Sequence, residues 1–379
     1  MRFAERMSRL GTETAFEVLA RAKALEAQGR SICHLEIGEP DFATPEFVVA
    51  AGQEALEQGL TKYGPAAGSQ ELREAIAADV SRRRNVTVDP AEVVIVPGAK
   101  PILFFALLAL VEEGDEVLVP DPGFPIYSSV VAMAGGVPVP YRLDPARGFD
   151  IDTNSLRRAR GGIFNTPHNP TGGVIDPAAW NAVAELDLDW VVSDEVYSRM
   201  VYEGAHASAL SVPSLRDRTV LVDGFSKTWS MTGWRIGFGV MPPELAEKVT
   251  RLQINCTSCV PAFTQRAALA ALTGPEDPVR EMVAAFRGRR DRITEGLRAL
   301  PGVECATPKG AFYVFPDVSA LGDSDEIAAA LLEEEGVACL SGTAFGDAGK
   351  GFLRFSYAAS SETIDDALGR IANFLSRRA

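Results

Sequence analysis

No stretch of the chain is both long and apolar enough to cross a bilayer. The longest clean apolar run is Pro101 to Val111, PILFFALLALV, well short of the roughly 20 residues a membrane helix needs. Lys100 before it and Glu112–Glu113 after it mark it as a buried helix. The opening segment, MRFAERMSRLGTETAF, carries charges throughout and has no apolar centre, so it does not read as a signal peptide. Positive charge is also in short supply. The 37 Lys+Arg stand against 51 Asp+Glu, a net charge of −14. Such a surface is poorly suited to neutralising nucleic-acid phosphates or to docking on an anionic membrane, although a local basic site is compatible with it. Cysteine is sparse: five residues, an odd number and widely scattered. They point to reduced thiols and a cytoplasmic protein. Cys256 and Cys259 form a lone CxxC without a second ligand pair, so no metal site is expected.

What is present is ordinary globular material, 46% apolar and 23% charged over 379 residues, enough for about two domains. No low-complexity tract, long linker or internal repeat interrupts it. Residues 1–30 read as helical, with Phe16, Leu19, Ala20 and Lys23 at helical spacing. Thr44-Pro45-Glu46 has the form of a helix start, with a capping Thr and Pro in the first turn, and that helix is expected to end near Gly59. Ser69 is placed to cap a third helix whose Leu72, Ile76 and Val80 share a face. Short β-branched runs then alternate with helical ones. Strands are expected at 92–96, 116–119, 137–141, 162–165, 190–193, 219–223 and 236–240, and helices at 101–111, 177–185 and 244–253. This alternation predicts βαβ units and a mostly parallel sheet of seven strands, an α/β fold. After residue 280 the texture changes to a long charged helix, 281–300, and two strand candidates, 311–315 and 352–356. A smaller α+β domain is expected there. The charge run Arg287 to Arg292 on that helix reads as a solvated face.

Ligands of open α/β sheets bind beyond the carboxyl ends of the strands, and polar residues gather at several such ends. Gly98-Ala99-Lys100 follows one strand and opens the apolar helix, where glycine and a helix N-terminus suit an anion. Asp194 ends another strand and is placed to partner a ring N–H, or simply to cap a turn; Tyr197 follows three residues on. Asn165-Thr-Pro-His-Asn169-Pro-Thr-Gly is dense in turn formers, and His168 within it reads as a loop hydrogen-bonder. Lys227 follows a strand in Gly224-Phe-Ser-Lys. Desolvation there would lower its pKa and favour imine formation with an aldehyde. Arg235, eight residues later, is of the type that clamps a phosphate bidentately. Separately each is weak. Together they supply an imine-forming amine, an acid for a ring nitrogen, donors for a ring oxygen, a phosphate cup and, in Arg354, a carboxylate fork.

Six motifs, in order, carry a resemblance that covers essentially the whole chain: LEIGEPDF (35–42), TKYGPAAG (61–68), NPTG (169–172), SDEVY (193–197), GFSKTWSMTGWRIG (224–237) and LRFSYA (353–358). The sequence resembles the class I/II, fold-type I pyridoxal-phosphate aminotransferases, most closely their aspartate-aminotransferase-like bacterial branch. The resemblance implies that Lys227 bonds the cofactor and moves the proton, and that Asp194 keeps the pyridine nitrogen protonated. It implies that Tyr197 and Asn169 hydrogen-bond the ring oxygen. Arg235, Lys100 and the Ala99 backbone would grip the phosphate, with Ser226 a further donor, and Phe124 would stack on the ring. Arg354 would fork the substrate carboxylate, assisted by Gly38 and Asn169. Tyr63 would reach the phosphate held by a neighbouring subunit, making the active unit a homodimer. The implied organisation is an N-terminal segment, 1–44, packing with the small domain, a large cofactor-binding domain, 45–280, and a small domain, 281–379.

The pattern departs from well-known members in two places. Gly224 stands where some relatives carry a phosphate-binding Ser, and Phe124 stands where several dicarboxylate-specific relatives carry Trp. No second Arg or Lys is evident for a side-chain carboxylate, and Phe16, Phe124 and Ile37 are apolar candidate walls. The expected reaction is therefore ping-pong transfer of an amino group from a neutral or aromatic L-amino acid to a 2-oxo acid. A lyase of the C–S β-elimination type would use the same Lys, Asp and Arg. A cofactor-binding regulator would need a basic DNA-binding head, for which the residues before LEIGEPDF are too few.

Overall fold

The computed structural model describes residues 1–378. Its centre is a sheet in which four strands bury every residue: the edge strand Val93–Val96 and the inner strands Gly161–Asn165, Trp190–Asp194 and Gly237–Val240. Burial of whole runs, rather than of alternate residues, is what a sheet covered on both faces requires. Side chains still alternate between the faces. Val93 and Ile95 pack with Val48, Leu72, Ile76 and Ala267, from helices Glu46–Glu57, Gln70–Arg84 and Ala262–Thr273. Val94 and Val96 face the other way, against Ile102, Phe105, Val130 and Val249 of helices Lys100–Leu110, Ile126–Ala134 and Pro243–Thr257. The apolar run noted in the sequence is thus a helix laid on the sheet.

The strand order is Val93–Val96, Gly237–Val240, Thr219–Gly224, Trp190–Asp194, Gly161–Asn165, Glu116–Asp121, Val137–Asp144, Asp150–Ile151. Gly237–Val240 runs antiparallel to both neighbours, and the last strand is antiparallel to Val137–Asp144. The remaining neighbours pair in parallel. The sheet therefore has eight strands among the described residues, not the seven expected. The additional strand is two residues long, too short to leave a pattern in sequence. It returns after a tight turn at Pro145–Arg147, closed by Gly148 at φ +70°.

Beyond this sheet, Tyr313–Val314, Leu353–Ser356 and Leu340–Ser341 form a three-stranded antiparallel sheet. Cys33–His34 pairs in parallel with Val337–Ala338, which ties the N-terminal segment to the C-terminal region. Phe286, Phe312, Phe355, Tyr357 and Phe374 fill the core between that sheet and helices Asp277–Arg298 and Ser361–Ser376.

Several local expectations are corrected. Residues 1–30 are not one helix but a short 3₁₀ segment, Glu5–Arg9, and an α-helix, Thr14–Glu26. Thr44 does not cap the second helix. Its hydroxyl donates to the Ser230 carbonyl at 2.6 Å and accepts from the Trp234 indole at 3.1 Å. Ser69 stands at the third helix's start without a side-chain cap; its amide donates to Gln265 Oε1 at 2.8 Å. The charge run on helix Asp277–Arg298 is a solvated face only in part: Arg287 and Arg292 are exposed, Arg289 is half-buried and Arg290 faces inward. Arg290 is buried, donates to Glu203 and to the Pro308 carbonyl, and stacks on Tyr202 with its guanidinium 5.2 Å from the ring centre. Arg289 pairs with Asp41 and lies over Phe42. These contacts fasten the long helix to segments distant in sequence.

Because Glu203 and Asp291 retain solvent contact, removing Arg290 strands no buried charge but loses packing and charged hydrogen bonds. Arg290→Ala should cost about 1–3 kcal/mol in chemical denaturation. Arg280→Ala, which breaks an exposed i,i+3 pair with Asp277, should change the same midpoint by less than about 0.5 kcal/mol.

Candidate active site

The parallel register sets Asn165, Asp194 and Val222 abreast at one end of the sheet. Val96 pairs with Gly237 at that same end, so the strand before Gly98 also finishes there. Above these ends lies a cavity of about 350 Å³. Ala99, Lys100, Phe124, Asn169, Asp194, Tyr197, Ser226, Lys227 and Arg235 all line it, as do Gly38, Arg354 and Phe16. Tyr63 does not. It is 89% exposed and contributes nothing to the cavity of its own chain.

Lys227 projects from the chain just beyond strand Thr219–Gly224, and its Nζ donates to the Gly38 carbonyl at 2.6 Å. Burial strips water from the ammonium and pulls its pKa down to about 8, against the raising influence of Glu39. Asp194 ends its strand inside the cavity. Burial pushes its carboxyl up to about 6, while the Tyr127 hydroxyl, donating to Oδ2 at 2.7 Å, and the Val196 amide, donating to Oδ1 at 3.3 Å, favour the ionised form. An amine near neutrality and a carboxylate awaiting a cationic partner therefore line one cavity.

One end of the cavity has the donor set of an anion cradle. Gly98 has φ +80°, and a Cβ there would lie 2.2 Å from Arg235 Nη2. The missing side chain is what lets the guanidinium lie on the backbone. Gly237 serves the same approach, since its Cβ would lie 2.5 Å from the Ala99 nitrogen. Arg235 is itself left-handed, at φ +52°, and donates to the Thr232 carbonyl at 2.7 Å. Ala99 directly precedes helix Lys100–Leu110; Pro101 has no amide hydrogen and the Ile102 amide donates to the Ala99 carbonyl at 3.1 Å, so this helix start offers an anion the amides of Ala99 and Lys100.

The other end is organised by Arg354, in strand Leu353–Ser356. Its guanidinium donates to Asn169 Oδ1 at 3.1 Å and to the Glu36 carbonyl, and lies 4.6 Å from the Tyr313 ring centre. Arg354 Nε is buried without any partner. A buried, desolvated guanidinium with a free N–H is prepared for an anion. Tyr197 and Tyr313 share a hydrogen bond at 2.8 Å.

Three contributors escaped the sequence reading. Tyr127 sits one turn past Phe124 in the Pro-Gly-Phe-Pro motif, so helical spacing offered a signal for it. Tyr313 lay within an expected strand, and only its partner could reveal it. Glu13, from the N-terminal segment, pairs with Lys100. Lys100 Nζ also lies 5.3 Å from the centre of the Phe124 ring, and the exposed Phe16 lines the same cavity. His168 is a buried loop residue. Its Nδ1 meets Thr171 Oγ1 at 2.8 Å and burial drives its pKa down to about 3.

The Asp194 shift carries a stability consequence. Its folded pKa lies above the unfolded value of about 3.9, so folding prefers the protonated acid. Stability is therefore lost as pH rises from about 4 to about 6 and stays lost above it. Asp194→Asn should raise the melting temperature of the ligand-free protein at pH 8, by an amount worth up to about 3 kcal/mol, with little gain at pH 4.5. Thermal melts at the two pH values check this.

Residues 30–371 match the family model described as aminotransferase class I and II. A probable aspartate/prephenate aminotransferase of Aquifex aeolicus is 39% identical over 388 residues, covering 98% of both chains. The solved aspartate aminotransferase of Thermus thermophilus, with maleate, superposes with a TM-score of 0.93 at 38% identity, over 98% of this chain and 100% of that one. An aromatic aminotransferase from Pyrococcus horikoshii does so with a TM-score of 0.88 at 37% identity, over 90% and 95%. With its mostly parallel sheet, its Lys227–Asp194 cavity and these matches over nearly its whole length, the chain belongs to the class I and II aminotransferase family.

Proposed function

We propose that this aminotransferase uses pyridoxal phosphate to move an amino group from an L-amino acid to a 2-oxo acid by a ping-pong cycle, with an acidic amino acid as its best donor. The observation that carries the cofactor is Lys227: a buried amine brought near neutrality, in one cavity with Asp194 and the Gly98–Arg235 cradle. When bound, pyridoxal phosphate supplies an electrophilic aldehyde and an electron-withdrawing ring. The chain's own groups do the rest. Asp194 holds the ring nitrogen's proton, and Tyr127 keeps that carboxylate ionised and oriented. Tyr197 and Asn169 serve the ring oxygen and Phe124 the ring face. Arg235, the Ala99 amide and Ser226 hold the phosphate. Arg354 receives the substrate carboxylate on its free Nε–H, with the Gly38 backbone beside it. Lys227 takes and returns the proton at the α-carbon. The lyase alternative uses the same groups, but the relatives are named aminotransferases, which favours transamination.

Lys100 decides the donor. Sequence offered no second cation for a substrate side chain, yet the Lys100 ammonium lines the cavity, over the Phe124 ring and paired with Glu13. A side-chain carboxylate can displace Glu13 from it. A neutral or aromatic donor leaves that pair intact and packs on Phe16 and Ile37, as a weaker substrate. Borohydride reduction of the loaded enzyme and peptide mapping should place the cofactor adduct on Lys227 alone. Lys100→Met should raise KM for aspartate about 10-fold or more, the worth of a charged hydrogen bond, and change KM for phenylalanine little. Similar losses for both donors would return Lys100 to the phosphate.

We also read the chain as a cytoplasmic homodimer with the division 1–44, 45–280 and 281–379. None of the described helices is long and apolar enough to cross a membrane. Tyr63 stands exposed, as do Leu56, Leu108 and Ile254, which supports a partner surface from which Tyr63 reaches the neighbour's phosphate. In purified heterodimers of Lys227→Ala with an inactive Tyr63 variant, one site is intact. Activity should return to about half the wild-type value, as one working site of two requires, whereas silent heterodimers would rule out shared sites.

A further inference from the structure

Beneath the cavity floor lies a buried ionic cluster, none of whose three charged side chains lines the cavity. Arg84, the last residue of helix Gln70–Arg84, turns inward at Asn85, whose φ of +51° ends the helix. Its Nε donates to Glu195 Oε2 and its Nη2 to Asp223 Oδ2, each at 2.8 Å. All three side chains are buried. Glu195 also accepts from Ser193 at 2.8 Å, Ser208 at 2.6 Å and His206 Nε2 at 2.8 Å. Asp223 accepts from the Gly224 amide at 2.7 Å and from Ser198 at 3.3 Å.

The cluster adjoins Asp194 on two sides. Glu195 is the next residue, and Asp223 follows Val222, which pairs with Asp194 in the sheet. Both carboxylates act on Asp194 in the direction of protonation. The other titratable groups facing Asp194 are Tyr127 from helix Ile126–Ala134, Tyr197 from the turn beyond, and Lys227 in the cavity. His206 pairs with Glu195 alone and Lys227 lies in the cavity, so Arg84 is the cluster's one cation bonded to both Glu195 and Asp223, the two carboxylates that do not face the ligand.

We propose that Arg84 is a positioning residue: by neutralising Glu195 and Asp223 from below, it leaves Asp194 free to ionise toward the ligand's ring nitrogen. Without it, two uncompensated negative charges within a few ångströms would keep Asp194 protonated. Arg84 thereby tunes the cofactor's electronics without touching it. The inference rests on the pyridoxal phosphate reading above.

The test measures pyridoxal phosphate affinity of the refolded, cofactor-stripped protein by absorbance between pH 5.5 and 8.5. In wild type, affinity should fall below a midpoint set by Asp194. Arg84→Met should raise that midpoint by about 1–2 pH units, the effect of charges at this range. The triple variant Arg84→Met/Glu195→Gln/Asp223→Asn, which removes the stranded charges, should bring it back. Glu195→Gln alone keeps Arg84 and should lower the midpoint, so the idea stands exposed even if Arg84→Met does not fold. Equal loss of affinity at every pH, an unmoved midpoint in Glu195→Gln, or no recovery in a folded triple variant would each overturn it. If wild type itself fails to bind pyridoxal phosphate, the functional reading falls, and this inference with it.

Discussion

Asn165, Asp194 and Val222 stand abreast because three parallel strands hydrogen-bond in that register, and every group of the site is placed relative to that line. The antiparallel strand Gly237–Val240 closes the arrangement by bringing Gly237 against Ala99 and Arg235 against Gly98. Sheet strands buried on both faces resist a slip in register, because a one-residue shift would turn every side chain to the opposite face. A rigid floor of this kind is what a site needs when one of its groups is a carboxylate with a raised pKa.

Charge burial is the second theme. Lys227, Asp194 and Arg354 are each desolvated, and each is pushed toward its neutral form. In the proposed function their complements belong to ligands: an aldehyde, a ring nitrogen and a carboxylate. Glu195, by contrast, is held down to about 2 by Arg84 and its hydrogen bonds, although burial opposes this. The protein therefore keeps two kinds of buried charge side by side, one satisfied internally and one left open. The open kind weakens the fold, a common cost of a functional site.

The small sheet and the N-terminal segment supply what the large sheet cannot. Arg354 and Tyr313 reach the cavity from the small sheet, where the Glu36 carbonyl of the N-terminal segment accepts from Arg354, and contacts of Arg354 with Asn169 and of Tyr313 with Tyr197 join them to the large sheet. Glu13 and Phe16 line the same cavity near Lys100. Groups lining the cavity thus come from segments separated by more than 300 residues.

Much of this was legible in the residues themselves. Apolar runs of four to six between helical patterns dictate a covered sheet, and residues at the strand ends in six ordered motifs announce the chemistry, because a strand's carboxyl end is where a ligand can reach it. Lys227, Asp194 and Arg354 needed no structure to be nominated. Other features depended on where distant segments meet. The bond from Tyr127 to Asp194, the Tyr197–Tyr313 pair, the turn of Lys100 toward Glu13 and the burial of Arg290 have no local signature. Arg84 is the clearest case: in sequence it is one of three consecutive arginines at a helix end, indistinguishable from its neighbours. Only the tertiary structure, by ending the helix at Asn85 and facing this one guanidinium with two buried carboxylates, decides which of the three is a structural ion, because desolvation is a property of place and not of residue type.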